Sequence, residues 1–227
     1  MEVYMLESQA QQNFNNEKSL KIITELHSIF TKRKSTRHFS DHPVDINIIL
    51  KAISIAGTAP SGANKQPWSF GVIQDQDTKQ IIKQKAEQEE DVFYNQKAPQ
   101  KWLEDLKPLH TKPKKDFITQ ASYLIPVFYK NYELDSDNNR DKNYYVKESA
   151  GIATGLLISA LHLAGLSTLT YTPTNRKFLV DLLGRPSNEG GMMVVATGLP
   201  SDNAQTPVIS KKQLEEIAFI YSPVKSR

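Results

Sequence analysis

Three groups of residues in this 227-residue chain carry side chains whose types and spacing suit them to chemistry. The first is the stretch KRKSTR, where Arg33, Lys34, Ser35, Thr36 and Arg37 follow a helical run. Guanidinium forks and hydroxyls at a helix–loop junction suit a phosphate monoester, which offers three acceptor oxygens and nearly two charges. The same residues equally make an ordinary solvated helix end, where the macrodipole favours cations. The second is TAPSGANKQPW, residues 58–68, in which Pro60 and Pro67 stiffen the flanks and Gly62 permits close backbone approach. With Ser61 and Asn64 it could border a flat heterocycle, or it is a tight helix-to-strand turn. The third is EEDVFYNQ, in which Glu90 and Tyr94 are four apart and share a face if the segment is helical, followed 21 residues later by Lys115. A carboxylate, a phenol and an ammonium complement a zwitterion, with Glu90 for an α-ammonium and Lys115 for an α-carboxylate. The alternative is a charged, solvated helix face.

Other chemistries are excluded or disfavoured. The chain has no cysteine, which removes disulfides, thiolate nucleophiles and sulfur-ligated metals. Any redox chemistry must come from a cofactor. The signatures G-x-G-x-x-G, G-x-x-x-x-G-K-[ST] and H-E-x-x-H are absent. His38 and His42 are four apart, but they flank a loop-like Phe39-Ser40-Asp41 and precede Pro43, so no metal site is expected. The formal charge of +3, from 28 basic and 25 acidic residues, is too balanced to imply nucleic acid, even with the basic loop 107–115. No stretch approaches the ~20 apolar residues of a membrane span, and MEVYMLESQAQQNFNN has neither the basic flank nor the apolar centre of a secretory signal. A cytoplasmic protein without membrane partners is expected.

The elements that must position these groups alternate in type. KSLKIITELHSIFTKR and VDINIILKAISIAG carry apolar residues at helical spacing. WSFGVIQD, SYLIPVFYK, STLTYT and MMVVATGLP are short apolar runs rich in aromatic and β-branched residues, which predicts four strands separated by helical patterns. The longest apolar helix is predicted over 144–165. Its Ala150, Gly151, Ala153, Gly155, Ser159 and Ala160 would admit close backbone approach, so it is central or packs on a second subunit. With no internal repeat or low-complexity linker, one α+β domain spanning 1–227 with a charged insertion is the economical organisation.

RKSTRHFSDHPVD, AGTAPSGANKQPWSF, TLTYTPTN and LLGRPSNEGGMMVVATGLPS, in this order and at these separations, resemble the nitroreductase-type flavoproteins, and within them the iodotyrosine deiodinase branch. The resemblance covers roughly residues 30–220. It implies an α+β nitroreductase-like fold, with a central, mostly antiparallel sheet flanked by helices, in an intertwined homodimer that binds FMN at the subunit interface. It assigns Arg33, Ser35 and Arg37 to the FMN phosphate and Ser61 and Gly62 to the isoalloxazine, with Lys34, Thr36 and Pro60 also among the cofactor-binding residues. Thr170, Tyr171 and Thr172 form the other binding strand, with the Thr172 hydroxyl near flavin N5 as the catalytic group. Where the family commonly carries a C-terminal arginine, this chain has ISKKQL. Lys211 can supply the charge there but not the bidentate fork.

The same resemblance assigns Glu90, Tyr94 and Lys115, with Trp102 between, to a lid at about 85–118 that clamps the amino-acid end of a halotyrosine. The backbone at Ala63 would bind the phenolate. Reductive dehalogenation of a halotyrosine follows, with NADPH as the expected ultimate electron donor, directly or through a reductase. A broad-substrate FMN nitroreductase or quinone reductase is the rival within the class. A flavin- or tyrosine-binding protein without turnover is the rival outside it.

Overall fold

The computed structural model describes residues 14–221, so most of the N-terminal stretch considered as a signal lies outside the described residues. Helix α1 (Asn16–Thr31) starts two residues before the expected run, because the Asn15 side chain accepts the Lys18 amide hydrogen and caps it. It stops just before the basic cluster. Helix α2 (Ile46–Ala56) is capped in the same way by Asp45 and closes at Gly57. Strand β1 (Trp68–Phe70) follows, then α3 (Gln76–Val92), α4 (Gln100–Leu106) and the single turn α5 (Phe117–Gln120). The long strand β2 (Tyr123–Lys130) leads into a small hairpin, β3 (Tyr132–Leu134) and β4 (Arg140–Lys142). Helix α6 (Val146–Leu163), β5 (Ser167–Tyr171), α7 (Lys177–Leu182) and β6 (Glu189–Gly198) complete the order.

The four predicted strands form one antiparallel sheet in the order β1-β2-β6-β5. Helices cover both faces. On one side, Tyr123, Ile125 and Val127 of β2 pack with Ile49, Ala52 and Ala56 of α2 and Leu157 and Leu161 of α6. On the other, Leu124 and Phe128 meet Ile82 and Ala86 of α3, Phe117 and Ile118 of α5, and Phe178 and Leu179 of α7. Strand β2 is therefore buried on both faces, which is why SYLIPVFYK reads as a continuous apolar run rather than an alternating one.

Two details depart from the expected strands. WSFGVIQD forms a ladder only over Trp68–Phe70 and resumes as an isolated bridge between Ile73 and Leu124. The partner across the gap is Pro126, which accepts from the Gly71 amide but has no hydrogen to return. The β3–β4 hairpin was not foreseen: its residues are largely charged, and an Asp135 turn accepting from the amides of Asp137 and Asn139 holds it, not apolar alternation. Among the described residues no helix is long and apolar enough to cross a membrane.

Candidate functional site

The basic cluster is tied down by backbone hydrogen bonds. The Thr36 amide donates to Thr168 O at 3.0 Å, and Ser35 makes a parallel bridge to Thr168, so residues 35–37 run along β5. Further on, the Ser40 amide donates to Leu199 O and the Ser201 amide to His38 O, fastening the segment to the end of β6. Thr36 is buried. Arg37 is half-buried, and desolvation lowers its pKa despite the proximity of Tyr94. Among the described residues Arg33, Lys34 and Arg37 form no ion pair. A partly buried guanidinium without a carboxylate partner is suited to an anionic or acceptor-rich ligand.

Arg37 lines a cavity of about 510 Å³ together with Thr170, Tyr171, Thr172, His110, Lys112 and Lys115. A second cavity of about 490 Å³ adjoins it, lined by Glu90, Phe93, Tyr94, Trp102, Thr111 and Arg176. Thr111, Lys115, Tyr171 and Thr172 line both. The two spaces therefore meet at the end of β5.

The carboxylate, phenol and ammonium found by spacing are brought together here. Glu90 stands on the buried face of α3, in line with Lys79, Ile82 and Ala86. Lys115 Nζ lies 2.9 Å from Glu90 Oε2, and both side chains are nearly inaccessible to solvent. The same ammonium donates to Lys112 O and sits 5.6 Å from the Tyr94 ring centroid and 5.8 Å from that of Tyr171. The Tyr94 hydroxyl donates to Thr111 Oγ1 at 2.8 Å. Tyr94 sits in a π-helical turn, Phe93–Lys97, that prolongs α3 until Pro99 forces Ala98 into extended backbone. Phe93 then packs edge-on against Trp102 at 5.0 Å, drawing α4 over the cavity.

Tyr171 is placed differently from its neighbours. Strand alternation puts Leu169 and Tyr171 on the α3 side of the sheet, and Thr170 on the other. The Tyr171 ring packs edge-on against Phe117, and its hydroxyl donates to Glu90 Oε1 at 3.1 Å. Burial, then the adjacent Glu90 charge, raise its pKa far above the usual phenol range, so it remains a donor. Sequence reasoning grouped Tyr171 with the cofactor strand; the period-two parity of STLTY was the signal that separates it from Thr170. Thr111 carried no such signal.

The loop TAPSGANKQPW is not part of this constellation within one chain. It precedes β1, at the sheet edge opposite β5. Ser61 Oγ accepts from the Gln66 amide at 2.9 Å, and Ala63, Asn64 and Gln66 all adopt positive φ, a costly backbone state for three non-glycine residues. Gly62 abuts the start of α6: a Cβ there would stand 2.9 Å from Tyr145 Cδ2 and 3.3 Å from Tyr144 O. The tight-turn reading is thus correct locally. Lys211 lies on an exposed C-terminal segment and lines neither cavity.

The nitroreductase family model matches residues 30–199. An iodotyrosine deiodinase of Haliscomenobacter hydrossis is 41% identical over 208 residues, 92% of this chain and 94% of that protein. Iodotyrosine deiodinase 1 of Homo sapiens is 38% identical over 194 residues, 85% of this chain and 67% of that protein. Among solved structures, oxidized iodotyrosine deiodinase bound to FMN and 3-iodo-L-tyrosine superposes with a TM-score of 0.70 at 26% identity, covering 88% of this chain and 99% of that one. On fold, matched length and relatives, this chain belongs to the nitroreductase family, with iodotyrosine deiodinases among its relatives.

Proposed function

We propose that this protein is an FMN-dependent oxidoreductase that removes halide reductively from halotyrosines. The observation that carries the reading is that Glu90, Tyr94, Lys115 and Thr172 line one cavity, and that Lys115 and Thr172 also line its neighbour. Arg33, Lys34, Ser35, Thr36 and Arg37 hold the cofactor phosphate and ring edge: they supply cations without acidic partners beside β5, which is the donor set a phosphorylated heterocycle requires. Bound FMN, once reduced, supplies the electrons that cleave the carbon–halogen bond.

The chain's own residues do the rest. Glu90 receives the substrate α-ammonium and Lys115 its α-carboxylate, with Tyr94 closing against them. Phe93, Trp102 and Leu106 wall the space and exclude water. Thr170 and Thr172 present hydroxyls to the cofactor, Thr172 at the reacting edge. Residues of about 85–118 act as a lid on a single domain.

Pro60, Ser61, Gly62 and Ala63 complete the site from a second protomer. Their position at the opposite sheet edge from Thr172 supports this, since three inter-strand spacings amount to roughly 14 Å. The amide of Ala63 then faces the substrate phenolate, and its positive φ is the strain such presentation carries. Lys211 reaches the partner's phosphate site from the C-terminal segment. NADPH is the ultimate electron source, directly or through a reductase.

Turnover of iodotyrosine and of nitrobenzoate, measured with one common reductant, tests the reading. Iodotyrosine should be the better substrate by at least about a hundredfold in kcat/KM, a ratio that pairing both charges of a zwitterion supports. A preference for nitrobenzoate would make the protein a general nitroreductase with an incidental lid. FMN and iodotyrosine binding without iodide release would make it a binding protein.

A further inference from the structure

The clamp is closed on itself. Each Glu90 oxygen has its own donor: Oε2 faces Lys115 Nζ at 2.9 Å and Oε1 receives the Tyr171 hydroxyl at 3.1 Å. Lys115 has no other carboxylate among the described residues. We propose that Tyr171 is a positioning residue that holds Glu90 through Oε1 while the Lys115 ion pair is exchanged for the substrate, so that only a ligand carrying both charges opens the clamp. This rests on the reading of Glu90 and Lys115 given above.

The exchange follows from charge bookkeeping. A zwitterion replaces one buried ion pair by two: its ammonium takes Oε2 and its carboxylate takes Lys115. A ligand with an ammonium alone leaves Lys115 without a counter-ion, and one with a carboxylate alone leaves Glu90 without one. A buried unpaired charge is heavily disfavoured, so a singly charged ligand gains one pair and forfeits another. A neutral phenol leaves the pair intact and gains nothing from it.

During any of these exchanges Glu90 would be free to rotate if Oε2 were its only anchor. Tyr171 removes that freedom. Its ring is fixed against Phe117, its backbone lies in the β5–β6 ladder, and its hydroxyl stays protonated. Tyr94 cannot substitute for it, because the Tyr94 hydroxyl is committed to Thr111.

The test uses FMN-loaded protein and a Tyr171→Phe variant, which keeps the ring packing and removes one oxygen. Equilibrium Kd and steady-state kcat and KM are measured for iodotyrosine and for ortho-iodophenol. Kd and KM for iodotyrosine should rise about tenfold, the effect of losing a hydrogen bond to a charged group. The loss should fall several-fold harder on iodotyrosine than on ortho-iodophenol, and kcat should fall less than KM rises. In the unaltered protein, iodotyramine and the des-amino acid should bind no better than ortho-iodophenol. Equal losses for both phenols, or tight binding of either singly charged analogue, would overturn the proposal.

A Glu90→Gln variant separates the two readings. Unchanged iodotyrosine binding there sinks the clamp and this inference with it. Weakened binding there, with none from Tyr171→Phe, sinks the inference alone. In the double variant the Tyr171→Phe effect should largely vanish; an undiminished effect would mean that Tyr171 acts elsewhere.

Discussion

At the scale of single residues, the site depends on where a few side chains end. Thr172 lies one residue past β5, where strand alternation no longer dictates its direction, and it lines both cavities. A hydroxyl there is held by the rigid strand before it and Pro173 after it. Thr172→Ala should keep the fold and the bound FMN but slow iodide release roughly tenfold or more, as removal of one preorganised donor does. Nitroaromatic reduction by the same variant should suffer less. Equal loss of both activities, measured side by side, would remove Thr172 from its assigned role. Lys115 offers a second case: Lys115→Met leaves Glu90 buried without its cation, so binding of iodotyrosine should weaken roughly a hundredfold. Calorimetric titration of the FMN-loaded variant measures this directly.

At the scale of elements, α3 is the organiser. Lys79, Lys83, Glu87 and Glu90 stand one turn apart, and each grips the segment that returns beneath the helix. Lys79, only 1% exposed, donates to Ala121 O at 2.7 Å and Ser122 O at 3.0 Å. Lys83 pairs with Asp116, and Glu87 accepts the Lys115 amide hydrogen at 2.7 Å. The Glu90–Tyr94 spacing was legible in the sequence, as were the four strands. The rest of this face was not. DTKQIIKQKAEQEED has the composition of a solvated helix, and what buries Lys79 and Glu90 is residues 115–122, whose approach no local pattern records. Glu87→Ala should leave Lys115 poorly placed, raising the iodotyrosine KM about tenfold, while the melting temperature changes little.

A second junction at this scale is open to titration. Glu189, at the start of β6, accepts from Arg185 through both oxygens and from Ser69 of β1. Burial pushes its pKa up, but the Arg185 and Ser69 hydrogen bonds outweigh that and hold it below the ordinary value of 4.5. A carboxylate whose folded pKa is depressed stabilises the fold above its unfolded pKa and loses that contribution as pH falls through the folded one. Glu189→Gln should therefore cost about 1–3 kcal/mol at neutral pH, a range typical of a charged hydrogen bond. The difference in unfolding free energy from the unaltered protein should shrink below about pH 4. A difference constant across that window would contradict the assignment.

At the scale of the molecule, the described residues leave much apolar surface uncovered, which supports the proposed homodimer. Helix α1 has no buried residue, and Leu20 and Ile23 are well exposed. Helix α2 leaves Ile46, Leu50 and Ile55 open, and the C-terminal segment carries exposed Val208, Leu214, Ile217, Phe219 and Ile220. Such side chains are suited to a subunit interface, where fully burying one is worth about 1.5–3 kcal/mol. The small residues of α6 divide accordingly: Ala150 and Ala153 face the core, while a Cβ added at Gly155 would meet open space among the described residues. The sequence indicated the close approach but not which side would take it, because a helix apolar all round has no preferred face. Light scattering should find a dimer. Truncation after Pro207 should weaken that dimer and lower FMN retention together, since Ser61, Gly62 and Thr172 lie at opposite edges of one sheet.

All three scales converge on electron transfer to a bound halotyrosine, and the direct measurement is an anaerobic single turnover. The FMN-loaded protein is reduced, freed of excess reductant and mixed with iodotyrosine, and flavin absorbance and free iodide are followed together. Stoichiometric iodide release in step with flavin reoxidation is the predicted result. Flavin that stays reduced with iodotyrosine yet is promptly reoxidised by nitrobenzoate would contradict the account.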